Sequence, residues 1–202
     1  MFGDARSMTP AQFPITITQA GTFNLYVQLL KNVRALTLTA GSDLFTSRCH
    51  GFSAGDLVGF QSGSGTFPCG LSGVSGFYVI ASGLTQNDFR ISSTSGGASI
   101  GISPVAQDLL GIEYKVGKTV DLTGATFDAD IKSAINGSLV ASFQVTAVSP
   151  TAGIVAMTLP FATTTLIPSG DQYVYDLNYR LNGESFYPLA GSLTVVGTQS
   201  RP

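Results

Sequence analysis

Thr119-Val120-Asp121-Leu122-Thr123-Gly124-Ala125-Thr126-Phe127-Asp128-Ala129-Asp130-Ile131 is the stretch whose reading decides the fold. It runs extended into a tight Thr-Gly corner and then alternates, with Ala125, Phe127, Ala129 and Ile131 apolar and Thr126, Asp128 and Asp130 polar. A period of two is that of a strand with one wet face and one buried face. Asp121 stands where its side chain caps backbone N–H groups before the corner, and Gly124 supplies a positive φ that other residues resist.

Working outward, the same texture lies on both sides. Upstream, residues 13–30 read as one long half-buried strand kinked at Gly21, because Ile15, Ile17, Phe23, Leu25, Val27 and Leu29 share one phase. Downstream, strands are predicted over residues 125–133, 140–148, 153–159, 172–181 and 184–196. Asn136-Gly137 and Asn182-Gly183 mark turns between them, and residues 160–166 fit a single helical turn. Between the two blocks the texture changes. Short strands are predicted over 44–49, 57–60, 76–82, 88–92 and 98–102, separated by Gly, Ser, Asp and Asn turns, as in a small barrel or sandwich. The chain therefore reads as all-β: a β-sandwich of residues 13–35 plus 113–202, with a small β-barrel-like module of residues 36–112 inserted in an early loop. Residues 1–12 read as a flexible N-terminal arm.

Composition agrees and excludes several functions. Only 11% of the 202 residues are charged, 44% are hydrophobic, 24 are Gly and none is Trp, a turn-rich β composition. The ten Lys and Arg residues are scattered and the net charge is -2, so no basic stripe is present to follow a phosphate backbone, and nucleic acid is not an expected partner. No charge occurs between Ser133 and Gly170, yet Pro150, Gly153 and Pro160 break every apolar run short of a membrane span, and no basic-headed leader opens the chain. A soluble protein with an uncharged surface is the expectation, suited to contacts with other protein.

Candidate chemistry is sparse. Gly51-Phe52-Ser53-Ala54-Gly55 satisfies the Gly-x-Ser-x-Gly nucleophile pattern, but the sole histidine, His50, precedes the serine and no helix follows, so a Gly-bounded turn is the better reading. Gly111 to Thr119 imitates a phosphate-binding loop with the wrong glycine spacing and reads as a linker returning from the inserted module. Cys49 and Cys69 form no Cys-x-x-Cys pair; they read as small buried hydrophobes, with a bridge between neighbouring strands as the alternative. If residues 44–49 continue as a strand through His50, Cys49 and His50 point to opposite faces and make no thiolate-imidazole pair. Asp128 and Asp130 share a strand face without further oxygen ligands nearby, so a solvated face outweighs a calcium site. Tyr173, Tyr175 and Asp176, like Asp121 to Gly124, are expected to be structural, with an aromatic contact surface as the functional alternative for the tyrosines. No catalytic residue, metal or cofactor is expected.

Five blocks taken in order carry a resemblance: Ile15 to Phe23, Val120 to Thr126, Ala152 to Leu159, Pro168 to Leu177 and Leu189 to Val195. They resemble the β-sandwich at the N-terminus of phage baseplate upper proteins and related tail proteins. In that family the first strand runs almost directly into the Asp-Leu-Thr-Gly segment, whereas here residues 31–120 intervene. Within that insertion, His50 to Phe60, Phe67 to Leu71, Phe77 to Ile80 and Asp88 to Ser92 resemble a module repeated in phage tail-fibre and other virion proteins. The resemblance implies a virion component, assembled in the host cytoplasm, that binds other virion proteins and copies of itself and has no active site. A tail or baseplate connector or short fibre fits best, with a capsid cement protein as the alternative. From other classes, a module binding a host-surface glycan through Phe67, Phe77 or Tyr78 and a hydrolase using Ser53 are carried as competitors.

Overall fold

The computed structural model describes residues 11–39, 41–64, 66–68, 70–102 and 112–197. In chain order the strands begin with β1 (Ala11–Gln12), β2 (Ile15–Thr18), β3 (Phe23–Gln28), β4 (Leu30–Leu38) and β5 (Phe45–Thr46). Next come β6 (Leu57–Ser62), β7 (Phe77–Ile80), β8 (Asp88–Ser92), β9 (Tyr114–Thr119) and β10 (Thr126–Lys132). The series ends with β11 (Leu139–Ser142), β12 (Gln144–Ser149), β13 (Ile154–Leu159), β14 (Gln172–Leu181) and β15 (Glu184–Val196), with one helix, α1 (Phe161–Leu166), before β14. The architecture is all-β. The chain divides into two compact units, residues 28–122 with 149–154, and the remainder.

The remainder is a sandwich. Its larger sheet has the order β1-β15-β14-β10-β11, with β2 also on β15, and its smaller sheet has the order β12-β13-β3. β14 and β15 form a hairpin closed by Asn182 and Gly183, both left-handed at φ 52 and 82, the geometry that a two-residue turn needs to match strand twist. Ile17, Ile131, Val155, Met157, Leu159, Leu177 and Leu193 are sealed from solvent between the sheets. Each such side chain contributes about 1.5–3 kcal/mol of apolar burial.

Residues 13–30 are two strands and not one. β2 pairs with β15 in the larger sheet, β3 belongs to the smaller, and the chain turns between them at Ala20, whose φ of 56 lies outside the extended range of regular strand. Residues 140–148 divide in the same way. Phe143 separates β11 from β12, buries its ring near Phe23 and Tyr175 at centroid distances of 6.1 and 6.0 Å, and carries the chain from one sheet to the other.

The other unit holds a closed barrel in the order β4-β5-β8-β7-β6-β9. Closure removes free edges. Leu36, Phe45, Val58, Phe60, Phe77, Val79, Phe89, Ile91 and Val116 fill it. The barrel reaches beyond residues 36–112: β4 and β9 pair with each other, Leu36 opposite Tyr114, and β9 also pairs with β6, Phe60 opposite Val116. The stretch resembling a returning linker is therefore the strand that closes the barrel. Its signal is weak because Lys118 stands where the Tyr114–Val116 phase calls for an apolar residue, and at Gly117 only glycine fits, since a Cβ would stand 2.9 Å from Lys31 O. In β4 the alternation is broken by a bulge between Lys31 and Arg34, with Asn32 at φ 54. Residues 98–102 form no strand, and hold to β8 through Ile100 N–H to Ile91 O at 2.8 Å.

Candidate functional site

The nucleophile-like turn is tied up as structure. Gly51 and Gly55 take left-handed φ values of 68 and 88, and Ser53 N–H donates to Asp56 Oδ2 at 2.6 Å. His50 is buried beneath the turn, 3% exposed, with its ring stacked on Phe52 at 4.7 Å and set edgewise to Phe89 at 5.2 Å. Its Nδ1 accepts from Phe52 N–H at 2.9 Å, which leaves the proton on Nε2, 3.4 Å from Asp88 O. Both ring nitrogens thus face backbone. Among the described residues the histidine makes no bond to Ser53 and is not placed as its base.

Lys118, in the stretch imitating a phosphate loop, lies on β9 and pairs with Asp56 Oδ2 at 2.6 Å. Thr119 Oγ1 lies 3.0 Å from Thr151 O and 3.3 Å from Leu57 O. Neither group is presented to a ligand. Cys49 is not on a strand and not buried: it occupies a left-handed turn at φ 52, with an exposed free thiol. The turn is held by Asn87 Oδ1, which accepts from Cys49 N–H at 2.9 Å. Cys69 lies outside the described residues. Of the aromatics offered to a sugar, Phe77 is inside the barrel and Phe67 packs against its core, which leaves Tyr78 half-buried.

Leu122 is sealed, Asp121, Thr123 and Gly124 are exposed, and Gly124 takes φ 79 with open space around it. On β14, Tyr173 and Tyr175 point inward and Asp176 outward, so they do not form one site. The tyrosine row, with Tyr179, is core and not a contact surface: all three are 7% exposed or less. Asp176 stands opposite Asp130, takes Lys132 Nζ at 3.2 Å, and Asp130 Oδ1 accepts from Ser142 Oγ at 2.8 Å. This face is solvated. No group of three or more acidic, His or Cys side chains among the described residues is arranged to hold a metal ion.

Tyr175 donates to Phe13 O at 2.6 Å, and burial pushes its hydroxyl up to about 12. Burial also raises Tyr179, and burial followed by the Asp171 carboxylate raises Tyr173. The folded chain therefore keeps the Tyr175 proton where an unfolded chain, at 10.0, releases it. The stability from this source is whole below pH 10 and falls as pH rises towards about 12. Urea midpoints measured across that interval are expected to drop. In Tyr175→Phe the drop is shallower, with the residual slope from Tyr173 and Tyr179, and the variant loses about 1 kcal/mol at neutral pH because Phe13 O loses its donor. An equal drop in the two proteins refutes the assignment.

Two surface features were not read from the sequence. A shallow groove of about 410 Å³ on the barrel is lined by Val33, Arg34, Ala35, Thr37, Thr46 and Arg48. The second feature is the side of the sandwich where β11 and β12 are open edges of their two sheets. The missing charge in residues 133–170 was its only sequence signal. Among the described residues no helix is long and apolar enough to cross a membrane. The chain matches no protein-family model, and no curated protein matches it.

Proposed function

We propose that this chain is a non-enzymatic structural subunit of a bacteriophage particle, a connector or short fibre of the tail or baseplate, held by contacts with other virion proteins and its own copies. One observation carries the reading. Residues 133–170 contain no Asp, Glu, Lys or Arg, yet they supply two sheet edges and the exposed Ile135, Leu139, Val148, Phe161 and Leu166. A protein that works alone in water covers such edges or charges them, whereas interface cores are depleted of charge. The phage setting is supported by the ordered blocks resembling baseplate and tail-fibre proteins.

The test is a cryo-electron-microscopy map of the intact particle, searched for an all-β subunit with a sandwich and a six-stranded barrel. Density at the tail or baseplate is the expected result. Density across the head lattice replaces the connector with a capsid cement protein, and absence from the particle overturns both.

A further inference from the structure

We infer that the β11–β12 side of the sandwich is a self-association surface, on which a second copy of the chain pairs its β12 antiparallel to this one about a twofold axis. The inference deepens the assembly reading by naming the partner for one surface.

The two sides of the sandwich where the chain passes between sheets are built differently. On one, the crossing from β2 to β3 is clamped by α1: Thr164 Oγ1 donates to Gly21 O at 2.6 Å, and Gln19 Nε2 donates to Ile167 O at 3.1 Å. The opposite crossing is held by the backbone alone, Phe143 N–H donating to Ala129 O at 2.9 Å, and carries no side-chain clamp of this kind among the described residues; there β11 pairs only with β10, and β12 only with β13. Backbone N–H and C=O groups along the outer edge of β12 are left to an outside partner.

The short β11 carries an irregularity in its pairing with β10, between Ile131 and Lys132, but β12 has neither charge nor proline to protect its edge. From Leu139 to Ser149 there is no charge and no proline. Gln144, Thr146 and Val148 are exposed along β12, and Leu139, at 61% exposure, extends the surface onto β11. Natural edge strands that stay single use lysine, proline, bulges or cover.

Charge selects the occupant. In a twofold pair each side chain near the axis meets its own copy, so a charged edge repels itself and an uncharged one does not. A strongly charged partner finds no counter-charge here. The outer face of the larger sheet is the contrary case, since Asp128, Asp130 and Asp176 would confront their own copies.

Sedimentation equilibrium of the full chain, from micromolar to millimolar, is expected to show a reversible dimer. Thr146→Lys, which sets two lysines across the pairing, is expected to weaken the dimer roughly tenfold or more. Gln172→Lys, the same charge at an exposed site elsewhere, is expected to leave it unchanged. Unchanged melting of both variants by circular dichroism shows that the fold survives. A chain monomeric throughout, a dimer indifferent to Thr146→Lys, or an open ladder of larger species overturns the inference. A dimer formed by a chain absent from the particle refutes the virion role and leaves this surface standing; a particle-bound chain that fails the dimer test does the reverse.

Discussion

Phe89→Ala is expected to destabilise the barrel by about 3–5 kcal/mol, the range for truncating a fully buried aromatic side chain. Phe89 is wholly buried on β8, in register with Phe45 and stacked on it at 5.5 Å. Phe52 and His50 stand edgewise to it, each at 5.2 Å. Removing the ring takes contacts from three aromatic neighbours at once and opens a cavity that a closed barrel cannot collapse by sliding an edge strand inward. Ring pairs of this geometry also contribute about 0.5–1.5 kcal/mol beyond area. Urea unfolding followed by tyrosine fluorescence and circular dichroism measures the loss. A cost below about 1 kcal/mol would show that the ring is not enclosed, and with it that the barrel is not closed as described.

How much of this was legible follows from what alternation can and cannot report. β10, β13 and β14 stand close to where the apolar phase puts them, because each keeps one face inward along its length, and β15 does so from Leu189 onward. Both sheet crossings were invisible for the same reason. Ala141, Phe143, Val145 and Ala147 keep one phase through the crossing, as do Ile15, Ile17, Phe23 and Leu25 through the other. In a sandwich the inward face stays inward when the chain changes sheets, so the pattern runs on while the hydrogen-bond partners switch. Sheet membership, and with it the open side, is a property of pairing and not of polarity. The barrel ends were hidden differently: the bulge at Asn32 and the charge at Lys118 break phase where strands continue. At the candidate sites, residue types alone suggested chemistry at Ser53, His50 and Lys118. Their geometry depends on the positive φ at Gly51 and Gly55 and on Asp56, which takes both Ser53 N–H and Lys118 Nζ.

Gly153→Ala is expected to cost about 3 kcal/mol or more, of which only part is backbone strain. Gly153 has φ 68, where an alanine costs roughly 1–2 kcal/mol. It also sits where three segments converge: Leu29 N–H donates to Gly153 O at 2.8 Å, Val120 N–H to Leu29 O at 3.0 Å, and Gly153 N–H to Pro150 O at 3.0 Å. A Cβ added there would stand 2.7 Å from Leu29 O and 2.9 Å from Val120 O, both backbone atoms that cannot rotate away. Relieving the overlap means lengthening these bonds, each worth about 1 kcal/mol. Gly51→Ala supplies the control. Its φ is also 68 and nothing lies within 4 Å of the new Cβ, so it carries the strain alone. The difference between the two urea midpoints measures the convergence of the three segments, and equal losses would mean that glycine is needed at residue 153 only for its φ.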